Sequence, residues 1–121
     1  MNYAEQRAHA FAELLARLAR EAGVPTVTAA GIDAAAAAPG VLGLLYTGDP
    51  GRSPESWDVC VVLPELLAAC PGTRAAILDP AESALAAARY GIDKLPALVV
   101  LRDGEYIGAI EGMRDWEPFV V

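Results

Sequence analysis

Two cysteines, one histidine and a run of carboxylates are the residues of this sequence that could do chemistry. Cys60 and Cys70 stand ten positions apart, which is neither a CxxC redox spacing nor a zinc-ligand spacing. On one helix they would be separated by about 15 Å of rise, whereas a disulfide needs Cα atoms within about 7 Å. Both are expected as free, buried thiols in a reducing cytoplasm. His9, the only histidine, cannot build a metal site or a nucleophile triad alone and is expected at the surface. No general base, orienting residue or phosphate-cradling loop stands beside either thiol, so the sequence offers no catalytic constellation.

The carboxylates are different. Asp49, Glu55, Asp58 and Glu65 share their stretch with one cation, Arg52, giving it a net charge of −3. Such a surface suits arginine guanidiniums, planar forks that pair with carboxylates through two parallel hydrogen bonds. A plainer reading, an acidic face that only keeps the protein dissolved, explains the same residues. Exposed ion pairs contribute roughly 0–1 kcal/mol each, so charge steers an encounter and an apolar groove must hold a complex.

At 121 residues, 55% hydrophobic and 21% charged, the chain has material for one domain around one core. A net charge of −7 argues against nucleic acid and favours a basic peptide or protein segment. Glu5, Arg7 and Glu13 interrupt the N-terminal region where a signal peptide needs an apolar stretch. No run reaches the roughly 18 apolar residues that insertion across a membrane requires.

Periodicity and punctuation give the elements that position these groups. Ala4, Ala8, Phe11, Leu14, Leu15, Leu18 and Ala22 recur at helical spacing, predicting a helix over 4–22 that Gly23 and Pro25 end. A β-branched segment, Thr26-Val27-Thr28, predicts a short strand. Asp33 is then expected to cap a brief alanine helix. Val41–Tyr46 is a continuous apolar run, the pattern of a strand buried on both faces. Residues 47–54 predict a Gly- and Pro-rich loop, and 57–70 a helix that Pro64 kinks. A strand follows over 74–78. Asp79, Pro80 and Glu82 predict a capped helix running to about Tyr90, with Glu82 completing a capping box. Residues 97–101 and 105–110 flank Asp103-Gly104 as a hairpin, and Asp115 is expected to cap a short or truncated last helix. Strands alternating with helices demand parallel pairing, and the hairpin adds an antiparallel part. The expected fold is α/β, one domain over 1–121, with a mixed central sheet flanked by helices.

This order resembles thioredoxin. The likeness lies in the buried strand leading to a proline-bearing helix, in Tyr90-Gly91-Ile92-Asp93-Lys94-Leu95-Pro96, which looks like that family's cis-proline segment, and in the hairpin followed by Gly112. The thioredoxin cysteines would fall eight and five residues before Pro64, at Ser56 and Val59. Neither side chain forms a thiolate, so the dithiol chemistry is absent. A narrower resemblance covers nearly the whole chain. Thr47-Gly48-Asp49-Pro50 with Arg52, the stretch Asp58 to Leu67, Leu101-Arg102-Asp103-Gly104, and Gly112-Met113-Arg114-Asp115-Trp116 are similar to the HyaE/HupG family of [NiFe]-hydrogenase accessory proteins. Its members are thioredoxin-like without the CxxC pair.

The resemblance implies a cytoplasmic, non-catalytic chaperone without cofactor. It would bind the [NiFe]-hydrogenase small subunit through its twin-arginine signal peptide before export, with other hydrogenase accessory proteins as further candidate partners. The expected groove is the thioredoxin one, built here by Trp57, Asp58, Leu95, Pro96 and Met113, with Asp49, Glu55 and Glu65 around it. A backbone edge at Leu95 could take a peptide as an added strand. Trp57, read as a loop tryptophan, is the strongest single contact candidate, whereas Trp116 is expected to pack the last helix onto the sheet. The competing readings are a redox protein using Cys60 or Cys70, and a general thioredoxin-like interaction module using Cys60 or the Pro96 groove.

Overall fold

A computed structural model describes residues 2–112; Met113, Trp116 and the expected last helix with its Asp115 cap lie outside the described residues. Helix α1 (Tyr3–Glu21) starts where the Asn2 side chain accepts the Glu5 N–H. Its apolar stripe buries Phe11, Leu14, Leu15 and Leu18, each worth roughly 1.5–3 kcal/mol when fully removed from water. Ala4 and Ala8, expected on the same stripe, are exposed. The stripe is therefore narrower than its periodicity suggests, and α1 has apolar surface to spare.

Thr26-Val27-Thr28 forms a single bridge rather than a strand: Thr26 pairs in parallel with Ile77. The ladder stops because the Thr28 hydroxyl accepts the Gly31 N–H and turns the chain into a 3₁₀ segment, Ala29–Gly31, that leads into α2 (Ile32–Ala36). Thr28 caps only that 3₁₀ segment; α2 has no side-chain cap, and Asp33, inside its first turn rather than ahead of it, forms an ion pair with Arg89.

Strand β1 (Val41–Tyr46) has the bounds its apolar run predicts. Helix α3 (Pro54–Ala69) begins three residues before the expected start, because Pro54 sits in its first turn, where a proline lacks no hydrogen bond the helix needs. Pro64 lies inside α3 without ending it. Strand β2 (Thr73–Leu78) precedes α4 (Pro80–Ala86), which continues as a 3₁₀ turn, Ala87–Tyr90. Asp79 caps α4 by accepting the Glu82 N–H (2.9 Å), but Glu82 does not close the expected capping box. Its carboxylate reaches across to the Ala29 N–H (2.8 Å) and ties α4 to the 3₁₀ segment. Strands β3 (Ala97–Arg102) and β4 (Glu105–Glu111) complete the sheet. Their turn carries positive φ at both Asp103 (51°) and Gly104 (83°), the conformation that twists a two-residue hairpin correctly.

The sheet order is β2-β1-β3-β4, with β1 and β2 parallel and the other pairs antiparallel. Alternation splits the core in two. Leu45, Ala75 and Ile77 face α1 and α3, while Leu42, Leu44, Tyr46, Ala76, Leu78, Val99 and Leu101 face α2 and α4. Both faces are covered, as expected for the mixed α/β sheet. The β1–β2 register pairs Tyr46 with Leu78, so the two strands end side by side. The loops that leave them, through Asp49-Pro50 and Asp79-Pro80, therefore rise from the same end of the sheet.

Candidate functional site

The loop after β1 is the hub of that end, and its shape is fixed by hydroxyls. The Gly48 N–H donates to Ser56 Oγ (2.8 Å), Ser56 and Ser53 share a hydroxyl contact of 3.1 Å, and Ser53 Oγ donates to the Leu95 carbonyl (3.1 Å). The loop closes on itself where Ser53 and Arg52 donate their N–H groups to the Asp49 carbonyl at 2.7 and 3.0 Å. Gly48 is required by proximity: a Cβ there would lie 2.8 Å from Ser53 Cβ and 3.2 Å from Leu95 Cβ. Ser56, at the first degenerate cysteine position, is wholly buried, and so is Val59 at the second. A serine hydroxyl here organises backbone where the thioredoxin pattern has a reactive thiol.

On one side of this loop lies the expected thioredoxin groove. The Leu95–Pro96 peptide is cis, and Pro96 is buried. With Ser53 and Gly112 it borders a cleft of about 550 Å³ whose charged rim is Arg52, Glu55, Lys94 and Glu111. Two cations and two carboxylates leave the rim neutral. Glu111 accepts the N–H groups of Asp93 (2.7 Å) and Lys94 (3.1 Å), which hold its carboxyl below the usual carboxylate range. The Leu95 carbonyl, half of the edge expected to pair with a peptide, is already taken by Ser53.

Trp57 and Asp58 are not in that cleft. Because α3 starts early, Trp57 is in its first turn rather than in a loop, and its ring packs against Phe11 at 5.8 Å. Together with Tyr3, Arg7, Ala10 and Pro54 the two residues line a separate recess of about 350 Å³. Arg7 braces it by donating to the Pro50 carbonyl (3.0 Å) and the Tyr3 hydroxyl (3.1 Å). Glu65 is exposed two turns further along α3. The structure thus separates the expected groove: Leu95, Pro96 and Glu55 on one side of the loop, Trp57 and Asp58 on the other, and Asp49 in a third place.

That third place is a trough of about 460 Å³ along α1. One wall is Ala8, Ala12 and Ala16 over the buried rings and side chains of Phe11 and Leu15; the other is the pair of Asp-Pro corners, Asp49-Pro50 and Asp79-Pro80. Sequence reasoning missed Asp79 and the three alanines. The available signal was the repetition itself, an Asp-Pro dipeptide closely following each of two buried strands.

The thiols differ from expectation in one respect. Cys60 is buried, and desolvation alone pushes its thiol up to about 12, which leaves it unionised and unreactive near neutral pH. Cys70 is exposed at the end of α3 rather than buried, because the helix runs out past the edge of the core there. His9 is at the surface, 3.3 Å from Glu13. Among the described residues no helix is long and apolar enough to cross a membrane.

Comparison with known proteins places this geometry. The family model described as Hydrogenase-1 expression protein HyaE matches residues 14–119. The hydrogenase expression/formation protein HoxO of Azotobacter vinelandii is 36% identical over 107 residues, covering 88% of this chain and 72% of that protein. The hydrogenase expression/formation protein HupG of Bradyrhizobium diazoefficiens is 39% identical over 103 residues, covering 81% and 70%. Among solved structures, mitochondrial thioredoxin 3 of Saccharomyces cerevisiae superposes with a TM-score of 0.65 at 19% identity, covering 80% of this chain and 92% of that one. A mutant thioredoxin of Halobacterium salinarum gives 0.65 at 21% identity, covering 80% and 83%. At such identities the likeness concerns the fold, which is thioredoxin-like.

Proposed function

This chain belongs to the HyaE family of hydrogenase expression proteins, and from that premise we propose that it is a non-catalytic, cytoplasmic chaperone of [NiFe]-hydrogenase maturation. Its relatives are hydrogenase expression/formation proteins, which supports a role in making the hydrogenase. The finer reading is that it binds the small subunit, before export, through the twin-arginine signal peptide. The observation that carries this reading is electrostatic. Among the described residues, none of Asp49, Glu55, Asp58 and Glu65 is in an ion pair. Asp49, Glu55 and Asp58 each border a different concavity around the β1–α3 loop, Glu65 lies further along α3, and all four thus keep their charge available for a cationic partner. Trp57 beside Asp58 and the apolar trough beside Asp49 offer apolar contact next to two of them.

A redox role draws no support from Cys60, which is buried and unionised, or from Ser56 and Val59, which stand where the reactive pair would be.

Calorimetric titration tests the proposal, using a synthetic peptide spanning the twin-arginine signal of a hydrogenase small subunit and a Lys-Lys control. The expected result is saturable binding that prefers arginine, weakens with salt, and weakens further in Asp58→Lys and Trp57→Ala. Absence of heat with either peptide at low salt and high concentration would remove the signal peptide as the point of contact.

A further inference from the structure

We infer that the trough along α1, rather than the cis-proline cleft, receives the apolar segment of such a peptide, with Asp49 and Asp79 taking the arginines that precede it; this rests on the signal-peptide reading above. A signal segment of this kind has two chemistries in sequence, a pair of permanent cations and then an uncharged apolar run. Its binding surface must therefore be apolar, acidic at its border and free of competing cations. The trough meets the first two, and among the described residues its lining holds no cation; Arg7, the cation that reaches the Pro50 carbonyl, pairs with neither carboxylate. Ala8, Ala12 and Ala16 recur every fourth residue, so they lie on one face of α1. They span about 12 Å of helix, and all three are exposed. Their short side chains leave room above the buried Phe11 and Leu15 that longer residues would fill. Asp49 and Asp79 are the only charged residues among its lining, and neither is in an ion pair among the described residues. One oxygen of Asp79 caps α4, and a carboxylate has further acceptor positions for a guanidinium.

The cis-proline cleft fails the same conditions. Arg52 and Lys94 on its rim offset Glu55 and Glu111, so it has no net attraction for an arginine pair, while one Glu111 oxygen and the Leu95 carbonyl already accept hydrogen bonds.

Alanine methyl spectra of the full chain, titrated with the synthetic twin-arginine peptide, test this directly. The methyls of Ala8, Ala12 and Ala16 are expected to shift, while the amides of Lys94, Glu111 and Gly112 stay in place. Ala12→Trp fills the trough at an exposed position and is expected to raise Kd at least tenfold with no change in melting temperature. Lys94→Ala is expected to leave Kd within twofold. A peptide cut after the arginines is expected to bind weakly and to ignore Ala12→Trp. If the full peptide binds the natural chain but the shifts fall on Lys94 to Gly112 and Ala12→Trp changes nothing, the trough assignment is overturned while the chaperone proposal stands. If the trough instead closes a dimer, sedimentation will show two copies that Ala12→Trp separates without affecting the peptide, which also overturns it. No peptide binding at all removes both readings together.

Discussion

The two concavities that flank the Thr47–Ser53 loop differ in what they leave unsatisfied. In the cis-proline cleft the polar groups are largely engaged: Ser53 holds the Leu95 carbonyl, Glu111 holds two N–H groups, and the rim charges cancel. In the α1 trough the surface is apolar, and among the described residues the carboxylates of Asp49 and Asp79 are in no ion pair. The lesson concerns how a redox fold is put to another use. A buried serine at the first cysteine position cannot do thiol chemistry, and its hydroxyl instead fixes the Gly48 backbone of the loop between the two concavities. On the proposal above, recognition uses the surface of α1, the helix that the sequence places ahead of the thioredoxin-like part.

The largest effect is expected from breaking the trough's foundation. Phe11 of α1 is only 2% exposed and packs against the Trp57 ring of α3. Phe11→Ala should cost about 3–5 kcal/mol, as large-to-small changes in a packed core do. Denaturant unfolding measures it, and tryptophan fluorescence should change because Trp57 loses its neighbour. A loss below about 1 kcal/mol would mean that α1 is not fixed to the domain, and the contrast between a rigid trough and the cis-proline cleft would fail.

A smaller loss is expected at the wall between the two regions. Ser56→Ala leaves the buried Gly48 N–H without its acceptor, and an orphaned buried donor costs about 1–3 kcal/mol. Ser56→Cys keeps a weak acceptor of similar shape and should fall between the two. Equal stability of all three proteins in thermal unfolding would show that the loop is not held by this hydroxyl.

The sheet was legible because burial leaves a strong imprint on strands. Val41–Tyr46 reads as a continuous apolar run and is a strand between the same residues. Caps and starts were less legible, since a polar residue near a helix end can serve several masters. Asp33 pairs with Arg89 rather than capping, and Glu82 reaches Ala29 rather than back to its own cap. Pro54 punctuates a loop in sequence but opens α3 in space, which moved Trp57 from loop to helix and out of the expected groove. The trough was the least legible feature. An exposed alanine carries no chemical signal of its own. Ala8, Ala12 and Ala16 acquire meaning only when the parallel register of β1 and β2 sets two Asp-Pro corners beside them. Residues joined by a register 32 positions apart leave no local pattern.

The smallest effect sharpens the comparison from the cleft side. Glu111 is depressed in pKa first by the Asp93 N–H and then by the Lys94 N–H. A carboxyl whose folded pKa lies below its unfolded value stabilises the fold above the unfolded pKa, and that contribution is lost as pH falls through the folded pKa. Any contribution of Glu111 is therefore complete at neutral pH and fades only in acid, below the ordinary value of 4.5. Glu111→Gln keeps an acceptor oxygen for both N–H groups but removes the charge. It should lower the neutral-pH melting temperature slightly and, to the same extent, make unfolding less sensitive to acid. It also turns the rim of the cleft from neutral to net positive. A peptide seated in the cleft through its arginines would then bind several-fold more weakly at low salt, whereas one seated along α1, whose trough Glu111 does not line, would bind within about twofold of the natural chain at 0.1 M salt, where exposed charges more than about 10 Å apart are largely screened. Measured against salt concentration, this one substitution separates the two regions without disturbing either fold or trough.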